Sequence, residues 1–403
     1  MNDRAVVLCR TAAGMRAATW LAQRGVAVRV LCLEAELPTE EVAMVAGPRE
    51  GLEAMLGPLD AAEPSLTVWH GGQVHPLPRR KRDLARMSSG GAGGLWGLLA
   101  ARLHRGPTAE DWVRHWLGGP TWTDAVQGWL DHRLAGPSAR APAGVARRVL
   151  GGAARGGWWR PRWDGVARAE QRTGRILDAG GEVLVDVAVD GLDVEHGRIV
   201  GVRSEFGFEP VDGPLYTDLA PAELTALFDE SDRPIAPHPP MGDRVRVDVE
   251  GRLSGHGMLV LDGARRLIQL ARAHDGEGVV ADVVLAPGEP LFDATDRQIG
   301  EAMRPRLGGL VDGLGSVRSV RREVRRITCP RPSAEAPWEV LVHRYAALGV
   351  QPVGETGWLL PVSIPDELAL LEHAAAGAVV ATQRQEWLRD GPPLEPWSPW
   401  VLA

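Results

Sequence analysis

The opening stretch of this chain confines it to a narrow set of folds. Ala5-Val-Val-Leu8 is a short apolar run suited to a strand buried on both faces, and Ala12 to Gln23 then switches to helical periodicity, with Met15, Ala18, Trp20 and Leu21 on the inward side. Gly25 ends that helix, and Val26-Ala-Val-Arg-Val-Leu-Cys-Leu33 is a second apolar strand. Strand, helix and strand in this order predict a parallel βαβ unit at the start of a doubly wound sheet. The ligand site of such a sheet lies where the first strand turns into the helix.

That turn normally reads GxGxxG: the first glycine for the tight turn, the second for backbone approach to a pyrophosphate, the third for helix–strand packing. Here it reads Cys9-Arg10-Thr11-Ala12-Ala13-Gly14, so only the packing glycine survives. A branched side chain at Thr11 stands where phosphate oxygens meet backbone N–H groups, and Cys9 lacks the positive-φ freedom of glycine. Arg10 is placed to meet a phosphate directly. By register, the acidic residue that holds the ribose hydroxyls falls at Cys32, with Glu34 two residues on as the substitute on the same strand face.

Composition excludes several classes of function. The net charge of −7 over 403 residues supplies no overall cationic surface for nucleic acid. Three cysteines, Cys9, Cys32 and Cys329, form neither a disulfide framework nor a zinc set, and the eleven histidines show no HExxH, so no metal is expected. No secretory signal and no long apolar run suited to a membrane span are present, and the chain reads as cytoplasmic. The length is enough for two domains.

Further matches follow in order along the chain: Val68-Trp-His-Gly-Gly-Gln-Val-His-Pro-Leu-Pro78, Ala109-Glu-Asp-Trp-Val113, Gly180-Gly-Glu-Val183 at a helix-to-strand step, the strand–turn–strand of 184–202, and Gly357 to Ala381. Together with the βαβ start these resemble the flavin-dependent amine oxidase superfamily, in particular its protoporphyrinogen oxidase and phytoene desaturase branches. The resemblance implies an α/β fold in which a Rossmann-like FAD/NAD(P)-binding-type domain (1–80, 164–222 and 346–390) is interleaved with an α+β substrate-type domain (84–163 and 223–345). The Pro/Trp-rich tail, 391–403, reads as an extended arm.

The flavin contacts implied by that resemblance fall on residues that do not suit them. A Tyr-Pro-x-Gly-Gly turn falls on Arg160-Pro161-Arg162-Trp163-Asp164, and a Gly-Asp contact on Gly357-Trp358. The helix that follows starts with Asp366 and Glu367, two carboxylates at a positive helix end. With Cys9, Arg10, Thr11, Gly14, Cys32 and Glu34, these positions describe a degenerate dinucleotide site. The reading that follows is a cofactor-less accessory protein of specialised biosynthesis, not a conventional redox enzyme, that binds a small apolar or aromatic ligand, a peptide or a protein partner. The alternative is a divergent FAD-dependent oxidase or desaturase acting on an apolar substrate. No catalytic residue is singled out, and a homo- or hetero-oligomer fits either reading.

Candidate ligand residues are Trp158, Trp159, Arg160, Arg162 and Trp163, an alternation of indole and guanidinium suited to cation–π stacking. The other tryptophans between Trp96 and Trp163, among them Trp112 and Trp116 one helical turn apart, read as core, with stacking of a large apolar or planar ligand as the alternative. Basic runs at Arg79–Arg86 and Arg318–Arg326 read as solvated faces, with docking of an acidic partner as the sharper alternative. Pro305 is expected to kink or divide a helix over 293–310.

Overall fold

The computed structural model describes residues 4–39, 45–46, 49–61, 66–70, 73–76, 158–234, 241–253, 257–261, 267–273, 277–285, 288–327, 332–358 and 364–375, with short pieces between 108 and 143. Most of the expected helical segment before Trp158, the basic run at Arg79–Arg86, Cys329, the side chain of Trp158 and the tail at 391–403 lie outside the described residues.

Five parallel strands make the first sheet: β1 (Arg4–Cys9), β2 (Ala27–Cys32), β8 (Glu182–Leu184), β12 (Leu215–Thr217) and β18 (Val350–Pro352), in spatial order β18-β12-β1-β2-β8. The chain runs outward from β1 through β2 to β8, then returns to the other side of β1. This reversal opens a crevice at the carboxyl ends of β1 and β12, the place where such sheets take ligands.

Both faces of the sheet are covered, as its unbroken apolar strands require. Val7 and Cys9 of β1 point into a cluster with Met15, Ala18 and Trp20 of α1 (Ala12–Ala22), Leu52 and Met55 of α2 (Arg49–Leu56), Ile176 of α3 (Gly165–Asp178) and Leu371 of α8 (Ile364–Ala375). Val6 and Leu8 point the other way. They meet an antiparallel meander of β9 (Val189–Glu195), β10 (Arg198–Ser204) and β11 (Gly207–Pro210), together with α4 (Pro221–Ala226) and α6 (Pro332–Leu348).

Helix α6 buries Leu341, Tyr345 and Leu348 at helical spacing. The Tyr345 phenol finds no hydrogen-bond partner among the described residues, and burial pushes its ionisation well above the ordinary range. An unmatched buried hydroxyl costs free energy, so Tyr345→Phe is expected to leave stability unchanged or raise it by up to about 1 kcal/mol. Urea titration checks this; a clear loss would show that the hydroxyl has a partner.

The second sheet has seven strands in the order β17-β13-β16-β15-β14-β5-β6. These are β17 (Val317–Ile327), β13 (Met241–Glu250), β16 (Gly278–Leu285), β15 (Leu267–Arg272), β14 (Gly257–Leu261), β5 (Leu66–His70) and β6 (Gln73–Pro76). All neighbours are antiparallel except β14 and β5. Val245, Val247 and Val249 alternate with charged residues along β13, and with Val279, Ala281 and Val283 they pack against Ile299, Met303 and Leu307 of α5 (Asp296–Leu307). Thr295 and Gln298 close the start of α5 as a capping box. The expected division at Pro305 does not occur: the proline stands in the last turn, where its missing N–H disturbs only the helix terminus.

On the other face of β13, Asp282 of β16 lies between Arg244 (2.8 Å) and Arg246 (3.2 Å). Burial alone would raise its carboxyl, but the two guanidinium groups hold it well below the ordinary carboxylate range. Of the basic run on β17, Arg322 is structural. It pairs with Asp243 (3.0 Å) and donates to the carbonyl of Phe292 (2.7 Å). A small third sheet joins β3 (Val45–Ala46), β7 (Trp158–Pro161) and β4 (Leu59–Ala61). Among the described residues, no helix is long and apolar enough to cross a membrane.

Candidate functional site

The crevice at the carboxyl ends of β1 and β12 is closed by the N-terminus of α1. The first N–H groups of a helix lack intrahelical partners and carry the positive end of its dipole, so this is where an anion binds in a βαβ unit. Here the anion is the protein's own. Asp218 follows the last residue of β12, and its Oδ1 accepts from the Arg10 N–H (2.7 Å). Its Oδ2 accepts from the Thr11 N–H (2.8 Å), the Thr11 hydroxyl (2.6 Å) and the Gly14 N–H (2.9 Å).

Thr11 serves as the helix N-cap in extended conformation, its oxygen also accepting from the Ala13 N–H at 3.2 Å. The surviving fingerprint glycine is needed at Gly14: a Cβ there would stand 2.8 Å from Cys9 Sγ and 2.9 Å from Asp218 Oδ2. Asp218 is buried. Desolvation holds its carboxyl above the ordinary range, and the hydrogen bonds from Thr11, Arg10 and Gly14 offset only part of that rise.

Charged side chains from three other segments enclose this cap. Arg10 pairs with Glu223 of α4 (2.6 Å) and with Glu34 beyond β2 (3.2 Å). Arg16 of α1 and Glu367 of α8 form a buried two-pronged ion pair, Nε to Oε2 and Nη2 to Oε1, both at 2.7 Å. Helix α7 (Gly354–Trp358) backs onto α1 through Gly354, whose φ of +67° and whose position, 2.5 Å from Ala13 Cβ to its own would-be Cβ, both demand glycine. Gly357 lies over the Thr217 carbonyl, and Trp358 is buried.

Among these six ionisable side chains, four carboxylates face two guanidinium groups, a local balance of 2 − 4 = −2 when all are charged. A pyrophosphate entering this nest would compete with Asp218 for the same N–H donors and would meet excess negative charge. The residues present do not fit one in this arrangement.

The sequence-predicted positions separate into two groups. Cys9, Arg10, Thr11, Gly14, Cys32 and Glu34 converge on the α1 terminus, with Gly357 and Trp358 on the α7 side of the crevice. The remaining positions have local structural roles. Asp164 caps α3, accepting from the Ala167 N–H at 2.8 Å, and the Trp163 ring covers Gly57. Trp159 packs against the α1-side cluster with Arg49 over its ring at 5.1 Å. Trp158 pairs through its backbone with Ala46, Arg160 with Asp60, and the Arg162 side chain bridges to Asp60 at 2.7 Å. Arg10 pairs with Glu34 and Glu223, and the N–H groups of the nest are taken chiefly by Asp218, with Thr11 assisting. Asp218, Glu223 and Arg16 were not legible as site residues, although an aspartate directly after the apolar strand 215–217 was the available signal.

No family model matches the chain, and no curated protein matches it in sequence. Solved structures do. Reduced UDP-galactopyranose mutase superposes with a TM-score of 0.71 at 11% identity, over 97% of this chain and 99% of that one. An oxidoreductase from Methanosarcina mazei gives 0.68 at 12%, over 93% and 100%. Cyclohexylamine oxidase from Brevibacterium oxydans gives 0.61 at 13%, over 96% and 100%. The chain has the fold of these solved structures. Within that fold, the crevice lined by Arg10, Thr11 and Gly14 corresponds by topology to the dinucleotide site of doubly wound sheets. The similarity extends over nearly the full chain on both sides, so it includes the second sheet as well as the Rossmann-like one.

Proposed function

We propose that this chain is a flavin-oxidoreductase-fold protein that works without a dinucleotide, by binding a small ligand, a peptide or a protein partner. One observation carries the reading: the Asp218 carboxylate takes the hydrogen bonds of the Arg10, Thr11 and Gly14 N–H groups, which a pyrophosphate would need. The Arg16–Glu367 and Arg10–Glu34 pairs support it, since they engage the neighbouring cations with internal partners.

The second reading is a divergent FAD-dependent oxidase. It is favoured by the full-length likeness to cyclohexylamine oxidase and to a putrescine oxidase variant, the latter with a TM-score of 0.58 at 12% identity. Purification and titration separate the two. The first expects colourless protein whose melting temperature does not respond to added FAD; the second expects flavin absorbance or a shift that grows with FAD concentration. In the first reading Thr11→Gly alone leaves FAD binding absent, because Asp218 still fills the nest. Asp218→Ala vacates it, and inorganic pyrophosphate should then stabilise the variant and not the parent. Full-occupancy flavin in the parent protein would overturn the proposal.

A further inference from the structure

Cys9 and Cys32 are the last residues of β1 and β2 and are partners in the parallel register. Residues so paired lie about 4.7–4.9 Å apart at Cα and project to the same face of the sheet. That face is the α1 side, where both side chains are fully buried in one apolar cluster. The proximity of the two thiols, with burial added at Cys9, raises Cys9 and lowers Cys32 relative to an ordinary cysteine. Each thiol also reaches a carbonyl of the crevice rim: Cys9 donates to Thr11 at 3.3 Å, and Cys32 lies 3.8 Å from Glu34 O. Neither cysteine has a role in the ion-pair network around Asp218.

A Cα separation of this size lies within the disulfide range of roughly 4.4–6.8 Å, and closing the bond needs only a small inward movement of two strand ends. We infer that Cys9 and Cys32 are an oxidisable dithiol at the floor of the crevice, a modification site that a hydroperoxide converts to a disulfide. Cys32 attacks the peroxide oxygen as thiolate and becomes a sulfenic acid, releasing the alcohol or water. Cys9 then attacks the Cys32 sulfur, and the sulfenic oxygen leaves as water. Two thiols and one hydroperoxide thus give one disulfide, one alcohol or water, and one further water.

The bond would remove the thiol hydrogen bonds to the segments that carry Arg10, Thr11 and Glu34, so its formation bears on the shape of the same crevice. The inference does not depend on whether flavin binds. Because both sulfurs are buried, reaction waits on local opening at the strand ends and should be slower than oxidation of an exposed cysteine.

The test uses the full chain with Cys329→Ser. After hydrogen peroxide treatment and alkylation of remaining thiols, intact mass should show loss of two hydrogens and no added alkyl groups. Proteolysis should yield a peptide pair linked through Cys9 and Cys32, separated by dithiothreitol. Cys9→Ser should abolish the linked pair while leaving Cys32 alkylatable or oxidised beyond sulfenic acid. Two alkylatable cysteines after prolonged exposure, or cross-links only between chains, would overturn the inference. If Cys9→Ser fails to fold, Cys32→Ser serves as the same control.

Discussion

Replacing Glu367 with Leu while Arg16 remains is expected to destabilise the protein by about 3–5 kcal/mol, since the change removes the two-pronged carboxylate from a buried guanidinium group. Both side chains are nearly inaccessible, at 6% exposure each, and the pair ties α1 to α8 across 351 residues of sequence. The double variant Arg16→Met/Glu367→Leu should recover most of that loss, because a buried ion pair replaced by apolar groups of similar volume is often neutral. Chemical denaturation of Arg16→Met, Glu367→Leu and the double variant gives the coupling directly. A cost below about 1 kcal/mol for the single change would mean that water reaches Arg16.

An effect of comparable size is expected in the second sheet, with a defined pH dependence. Asp282 is ionised between Arg244 and Arg246, and its folded-state pKa is depressed despite burial. A depressed carboxylate contributes stability that is present in full above its unfolded pKa, near 3.9, and is lost as pH falls from there toward the folded value. Asp282→Asn should therefore cost about 3–5 kcal/mol at neutral pH, by leaving two guanidinium groups against a neutral amide. The difference between parent and variant should narrow progressively below about pH 4. Hydrogen exchange of β13 and β16 across this range measures it. A difference independent of pH would show that packing, and not charge, accounts for the loss.

Much of the Rossmann-like half was legible because its signals are local. The apolar runs 5–8 and 26–33 and the helical period between them became β1, β2 and α1 within a residue or two at their ends. The loss of GxGxxG could be read from three residue identities. What could not be read was the occupant of the nest. Asp218 lies 207 residues from Thr11 in sequence, and a carboxylate after a short strand looks the same whether it faces solvent or a helix terminus. The alternation of indole and guanidinium over Trp158, Trp159, Arg160, Arg162 and Trp163 could be read from the sequence, but the packing neighbours of Trp159 and Trp163 could not, because they lie on segments distant in sequence.

The sequence by itself determined the parallel βαβ start, the alternating strands of the second sheet and the absence of a glycine path for phosphate, since each follows from side-chain period or from the steric limits of a single residue. Only the tertiary structure decided how the positive end of α1 is neutralised. Strand order brings β12 beside β1, and that placement sets Asp218, Arg10 and Gly14 within hydrogen-bond reach. Electrostatic complementarity over such separations depends on three-dimensional distance, which no local pattern encodes.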